Sequence, residues 1–301
     1  MGPRPIDLHL AAPKTLGARI VEEQGEVCCV ADTLRGQEIC LPTPSVGATE
    51  NAMLCACGCE GVTTIVGAAR EPEIVDLQGF LRCCGYCVSG AGTSRIVIAG
   101  RQESHNTMYF IMKDRIEAAT YMMALAGTGG RGVLTEIEPQ YLTAVSDVLE
   151  SMGVQIRTWE DRMEVIGPER LKSPGLVVTQ PYPGFPTDCQ PQLLTLAARA
   201  EGNTTIREEI FESRFTHKKD LLKMGAYIET CGKNAIIKGV GSLQGTQTEA
   251  LDLRGGAALV LAGLMAEGTT QVSGIEHIER GYEDLCGGIR MLGGYIEKKK
   301  T

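Results

Sequence analysis

Aromatic side chains are scarce in this 301-residue chain: one Trp, five Phe and eight Tyr, 5% of the residues. Its cores must therefore be built mainly from Leu, Ile, Val, Ala, Met and Cys. Positive charge is also short, with 29 Lys and Arg against 37 Asp and Glu and a net charge of −8. That balance argues against a nucleic-acid partner, which requires a basic face. It leaves room for an anionic small molecule, because a few converging arginines set the local field. Long hydrophobic runs are missing as well. The longest apolar stretch, Ala257 to Ala266, falls well short of the roughly 18 residues a membrane span needs, so no membrane partner is expected. The first residues, Met1 to Asp7, include an acid and no apolar core of a signal peptide. Ile6 breaks the myristoylation pattern. A cytoplasmic location is the expectation.

What the chain does have is a long internal repeat. A glycine followed three residues later by Ile or Val recurs at Gly17, Gly85, Gly153, Gly225 and Gly293. A second landmark, Glu-Gly-x-Thr-Thr or a near variant, starts at Glu60, Arg131, Glu201 and Glu267. Four copies of one unit are visible, preceded by the tail of a fifth. A period of about 70 residues is longer than that of a simple solenoid and implies a small α/β unit used repeatedly.

The repeat also interprets the twelve cysteines. Cys55, Cys57 and Cys59 have metal-like spacing, yet they align with Leu196, Ala198 and Ala200 in the third copy and with Ala262, Leu264 and Ala266 in the fourth. Cys84 aligns with Met152, Met224 and Leu292. Such positions are core positions, where a free thiol packs as a small hydrophobe. Neither a metal nor a cofactor is expected. Adjacent pairs such as Cys28-Cys29 and Cys83-Cys84 suit a reducing compartment.

The second copy shows the unit most clearly. Arg95 to Ala99 is a strand pattern, Asp114 to Ala126 reads as a helix ended by Gly127 and Gly129, and Gly132 to Ile137 is a second strand. Pro139 to Met152 carries Leu142, Val145, Val148, Leu149 and Met152 on one helical face. Val154 to Arg157 and Arg162 to Ile166 alternate like a hairpin joined at Glu160-Asp161. The unit is βαβαββ. The stretch Leu259 to Ala266 is apolar on all sides, the mark of a buried helix. The expected fold class is therefore α/β, with repeated βαβαββ units forming inside-out barrels, helices inside and sheets outside. A domain boundary is expected around Ser104 to Lys113, with an incomplete first domain over 1–112 and a second over 113–301.

Chemistry is expected where the copies differ. Helix starts are natural anion sites, because free N–H groups and the helix dipole favour negative charge. Arg115, Arg214, Arg254 and Arg280 are all expected at such starts. Taken singly, each could pair with a neighbouring acid as a surface salt bridge.

The segments at these starts carry a resemblance. Arg4-Pro5-Ile6-Asp7-Leu8-His9, Ser45-Val46-Gly47-Ala48-Thr49 and Ala69 to Asp76 resemble those of the UDP-N-acetylglucosamine 1-carboxyvinyltransferases. So do Asp114 to Glu117, Phe185-Pro186-Thr187-Asp188-x-Gln190, Phe211-Glu212-x-Arg214-Phe215, Asp252-Leu253-Arg254 and His277-Ile278-x-Arg280-Gly281-Tyr282. They run in family order along essentially the whole chain. The resemblance implies two enolpyruvyl transferase domains. It also implies transfer of the enolpyruvyl group of phosphoenolpyruvate to the sugar 3-hydroxyl of UDP-N-acetylglucosamine, the step that commits the sugar to peptidoglycan. In the family the reaction passes through a tetrahedral ketal that loses phosphate.

By the same resemblance Asp188 is the general base, and Arg4 and Arg280 hold phosphoenolpyruvate. Arg4, Pro5, Ile6, Asp7, Leu8, Ser45, Val46 and Ile210 line the sugar nucleotide. Arg115, Thr187, Arg214, Asp252 and Arg254 complete the substrate-facing set. The family's loop cysteine lies upstream of the Arg-Pro-x-Asp-Leu stretch, which begins here at Arg4. The chain is thus expected to lack that loop and the units before it, and to turn over little by itself. Thr43 stands where the family often has a lysine. Two other readings are a non-catalytic UDP-sugar-binding paralogue and the shikimate-pathway enolpyruvyl transferase, which shares the fold.

Overall fold

The recurring glycines end helices. In the computed structural model, which describes residues 6–23, 25–212 and 214–299, Gly17, Gly85, Gly153, Gly225 and Gly293 all have φ between 88° and 108°. Each follows the last residue of a helical turn. Each donates its N–H three residues back, and the next residue donates five back. Gly225 donates to the Leu222 carbonyl and Ala226 to the Leu221 carbonyl. Gly85 and Tyr86 do the same to Arg82 and Leu81. This is the Schellman closure, whose left-handed residue is most cheaply a glycine. The sequence repeat is thus a repeated helix stop.

The chain divides into two compact units between Met112 and Lys113, with Pro181–Pro183 grouped with the first. In the first unit, helix Asp7–Thr15 packs on helix Val46–Cys57, which packs on Pro72–Cys83. A four-stranded sheet runs in the order Glu38–Cys40, Val62–Val66, Arg95–Ala99, Cys87–Ser89. Its first pair is parallel and the others are antiparallel. Ile39, Ile65, Ile96 and Ile98 face Ala48, Ala52, Met53 and Ala56 in one core. The strand Arg95–Ala99, expected to open the second copy, instead closes the first unit's sheet by pairing with both Val62–Val66 and Cys87–Ser89. Period-two alternation identifies a strand but not its partner. A hairpin of Arg19–Glu23 and Glu26–Val30 completes this unit.

The second unit places helices inside. Arg115–Thr128, Gln190–Ala197 and Leu253–Met265 pack on one another. Gln190–Ala197 is buried at all eight residues, as expected of a helix without a solvent face. Gly127 allows the close approach: a Cβ there would lie 2.3 Å from the Met265 sulfur. Gly127 therefore lies inside its helix, and Gly129, with φ of 66°, ends it.

Outside lie three sets of strands. Arg131–Thr135, Arg162–Ile166 and Gln155–Thr158 form an antiparallel sheet in that order. Leu176–Val178, Asn203–Arg207, Asn234–Lys238 and Tyr227–Cys231 repeat the order of the first unit's sheet. Two short parallel pairs, Leu243–Gln244 with Ala266–Glu267 and Gln247–Glu249 with Gln271–Ser273, make the last set. Strand Asn203–Arg207 shows how each sheet packs: Thr204 and Ile206 point inward and Asn203 and Arg207 outward.

Three expected helices differ in detail. Pro139 to Met152 splits into a single 3₁₀ turn, Pro139–Tyr141, and helix Thr143–Ser151. The helix expected from Phe211 begins at Lys218. The one expected from Glu279 begins at Leu285, where Asp284 accepts the Gly287 N–H at 2.8 Å. Cys57 and Cys59 are buried in the first core, and Cys55 is half-buried against it. Among the described residues no helix is long and apolar enough to cross a membrane.

Candidate active site

Three helix starts in this chain are capped by side chains that the sequence comparison singled out. Ser45 accepts from Ala48 N at 3.4 Å. Asp114 accepts from Ile116 N at 2.8 Å and Glu117 N at 3.0 Å. Asp252 accepts from Gly255 N at 2.8 Å. An oxygen cap of this kind satisfies N–H groups that the helix itself leaves free. Arg115 follows its cap directly and Arg254 lies two residues after its own, so both sit in the first turn of a helix, as expected. Arg214 and Arg280 do not sit at helix starts. Arg214 lies in the loop before Lys218–Lys223, and Arg280 lies exposed in the turn after Ile275–Ile278.

The residue that breaks the capping pattern is Asp188. It sits in a 3₁₀ turn, Thr187–Cys189, ahead of helix Gln190–Ala197, and its carboxylate caps neither. Both oxygens turn to arginines instead. Oδ1 accepts from Arg214 Nη2, and Oδ2 accepts from Arg254 Nη2 at 3.2 Å. The arginine side chains are only 15% and 14% exposed, against 39% for Asp188. The surface-salt-bridge reading therefore fails for these two: each pairs across the fold rather than with a neighbouring acid, with its guanidinium largely buried, where screening is weaker. Burial pushes the Asp188 carboxyl up, but the Arg254 and Arg214 guanidinium groups outweigh it and hold it below the ordinary range.

Each arginine is braced from behind. The Arg214 guanidinium lies 4.8 Å from the Phe211 ring centroid. The Arg254 guanidinium lies 5.7 Å from the Tyr282 ring centroid and donates to its hydroxyl at 3.4 Å. Tyr282 is buried and shares its hydroxyl with Thr120 at 2.8 Å, and Gln192 donates to Thr120 at 3.1 Å. A polar chain thus runs from the inner helices to the Asp188 carboxylate. Cys189, directly behind Asp188, is fully buried, and its thiol is pushed up to about 12 by burial and by the Asp188 charge. The Arg115 and Arg254 charges act on Cys189 in the opposite sense.

Asp252 is occupied by its own helix and loop. Besides Gly255 N it accepts from Thr216 Oγ1 at 2.9 Å. Burial raises its carboxyl, and the Gly255 N–H and Thr216 hydroxyl more than compensate, so it lies below the ordinary range.

In the first unit, Arg4 and Pro5 lie outside the described residues. Ile6 precedes helix Asp7–Thr15, whose Leu8 packs on the core. His9 joins this helix to the second: its Nδ1 lies 2.6 Å from Asn51 Nδ2, and a Cβ on Gly47 would lie 2.8 Å from its ring. These contacts join the helix that carries Asp7 and Leu8 to the helix that Ser45 caps and Val46 begins. The second unit gathers Arg214 and Arg254 on the Asp188 carboxylate, and Thr187 and Ile210 on the carboxylate of Glu208. The braces Glu208, Thr120 and Gln192 escaped the sequence reading, and Tyr282 was read only as part of a motif, without a role. Glu208 had a signal, since it continues the inward positions Thr204 and Ile206 of its strand.

Comparison with known proteins shows the family. Residues 1–288 match the family model for EPSP synthase (3-phosphoshikimate 1-carboxyvinyltransferase). UDP-N-acetylglucosamine 1-carboxyvinyltransferase 2 of Caldanaerobacter subterraneus is 46% identical over 296 residues, covering 98% of this chain and 71% of the relative. UDP-N-acetylglucosamine 1-carboxyvinyltransferase 1 of Symbiobacterium thermophilum is 48% identical over 299 residues, covering 99% of this chain and 68% of the relative. Among solved structures, the enolpyruvyl transferase NikO from Streptomyces tendae superposes with a TM-score of 0.88 at 26% identity, covering 97% of this chain and 72% of that one. EPSP synthase from Acinetobacter baumannii superposes with a TM-score of 0.70 at 25% identity, covering 96% of this chain and 71% of that one. The shikimate-pathway enzyme is thus the more distant kin, and the chain belongs to the enolpyruvyl transferases and, within them, to the UDP-N-acetylglucosamine 1-carboxyvinyltransferase family.

Proposed function

We propose that this chain transfers the enolpyruvyl group of phosphoenolpyruvate to the 3-hydroxyl of UDP-N-acetylglucosamine, in the cytoplasm, as a step of peptidoglycan synthesis. The observation that carries the reading is the Asp188 carboxylate held between Arg214 and Arg254. The sugar oxygen adds to C2 of phosphoenolpyruvate while C3 takes up a proton. The resulting ketal loses phosphate, and loss of a C3 proton restores the double bond. Asp188 receives the hydroxyl proton in the first step. A carboxylate held low is a weak base toward a resting alcohol. It orients the hydroxyl, and takes its proton as the C–O bond forms and the oxygen becomes acidic.

Arg280 and Arg4 supply guanidinium donors to the phosphate and carboxylate of phosphoenolpyruvate, and Arg115 belongs to the substrate-facing set. Ile6, Asp7, Leu8, Ser45, Val46, Thr187 and Ile210 line the sugar nucleotide, and Asp252 sets the start of the helix that carries Arg254.

The test is phosphate release from the two substrates, at enzyme concentrations high enough to read slow turnover, by the wild-type chain and by Asp188→Asn. The variant should keep its fold, because Asp188 caps no helix, while turnover falls by about 10²-fold or more through loss of the proton acceptor. Turnover near the wild-type rate in Asp188→Asn, with sugar nucleotide bound, would remove Asp188 from the mechanism.

A further inference from the structure

Glu208 lies at an inward position just past strand Asn203–Arg207 and is 1% exposed. A carboxylate placed there carries a large desolvation cost unless donors meet it. Three do. Ile210 N and Phe211 N donate to Oε1 at 2.9 and 3.1 Å, and Thr187 Oγ1 donates to Oε2 at 3.0 Å. The two backbone bonds hold the chain in a turn as it leaves the strand, which fixes where Ile210 and Phe211 go. The hydroxyl bond ties that turn to the residue next to Asp188. The connections close into a ring: Glu208 to Thr187, Thr187 to Asp188 by the peptide chain, Asp188 to Arg214, and Arg214 over the Phe211 ring back to the Glu208 turn.

We propose that Glu208 is a positioning residue of the sugar-nucleotide site, holding Thr187 and Ile210 in register with the Asp188–Arg214 pair. It touches no substrate itself. The inference rests on the functional reading above, and its consequence falls on UDP-N-acetylglucosamine affinity and on turnover. A carboxylate that only stabilised the fold would affect melting alone.

The experiment measures UDP-N-acetylglucosamine Kd by calorimetry, phosphate-release kinetics and thermal melting on the full chain and five variants. Glu208→Ala frees both backbone N–H groups and the Thr187 hydroxyl. Its Kd should rise about tenfold or more, with kcat falling as well, at temperatures where it is folded. Glu208→Gln can still accept both N–H groups at Oε1 and donate to Thr187 from Nε2, so its Kd should stay within about threefold of wild type. Thr187→Val should weaken binding too. Combined with Glu208→Ala it should add little, because the two remove one shared hydrogen bond.

Effects that multiply would mean that Thr187 acts independently and would overturn the proposal. A folded Glu208→Ala with wild-type Kd and turnover would overturn it as well. If Glu208→Ala does not fold, Thr187→Val decides: unchanged binding there overturns the proposal, and weakened binding restored by Thr187→Ser supports it. Absence of UDP-N-acetylglucosamine binding by the wild-type chain would overturn the functional reading, and this inference with it. Binding by wild type that Glu208→Ala leaves unchanged would overturn this inference alone.

Discussion

A single imidazole shows how tightly the loop before Lys218–Lys223 is held. His217 is 4% exposed, and neither ring nitrogen has a hydrogen-bond partner among the described residues. Burial pushes it down to about 4, with Arg214 acting in the same direction and Asp252 and Asp220 opposing. In the unfolded chain a histidine titrates near 6.5. Between these values the unfolded state binds the extra proton, so stability falls as pH drops from about 6.5 to about 4 and levels off below. A displacement of this size corresponds to roughly 3 kcal/mol. Asp188 and Asp252, both held low, contribute stability that is present above their unfolded values and lost at more acidic pH. The two windows therefore separate. Urea melts at pH 7, 5.5 and 4.5 should show the decline in wild type and a much flatter profile in His217→Gln. A wild-type stability that holds steady across this range would refute the assignment of His217 as buried and neutral.

Secondary-structure elements were legible where one residue type answers one backbone need. The five repeat glycines are the best case, since each closes a helix in a conformation that disfavours a side chain. They also offer a controlled comparison. At Gly225, φ is 91° and an added Cβ would meet nothing within 4 Å. At Gly85, φ is 102° and the Cβ would lie 2.7 Å from the Glu103 carbonyl oxygen. Gly225→Ala should therefore cost about 1–2 kcal/mol, the backbone penalty alone, and Gly85→Ala distinctly more. Equal losses in chemical denaturation would show that the Glu103 contact yields freely. The site was legible in its motif residues and illegible in its loops. Arg214 was placed at a helix start because Phe211 to Phe215 falls where the repeat puts the second helix of its copy. The Ile210 and Phe211 N–H groups that would begin that helix are taken by Glu208 instead. Arg280 was misplaced for a related reason, since the capping acid is Asp284 and not one nearer the arginine. Strand Arg95–Ala99 was read correctly as a strand and wrongly as the opening of the second copy, because alternation carries no information about the partner.

At the scale of the whole chain, we propose that residues 1–112 and 113–301 are separate folding domains. Each unit has its own core: one around Met53, Ile65 and Ile98, the other around Met122, Leu194 and Leu261. The segment before Lys113 forms no regular structure, and Met108, Phe110 and Ile111 are 85%, 88% and 76% exposed. Tyr109 is the exception, donating to the Asp76 backbone oxygen and carboxylate at 3.0 Å each. Exposed apolar side chains on an irregular segment are ready protease sites. Brief chymotrypsin treatment should therefore cut first at Phe110. The larger product carries the three inner helices and their sheets, so it should keep its helical circular dichroism and melt in one cooperative step. The three-residue excursion Pro181–Pro183, grouped with the first unit, is short beside the second core and should not decide that outcome. If cleavage at Phe110 instead abolished cooperative melting of the larger product, its core would depend on residues before Lys113, and the chain would have to be treated as one folding unit.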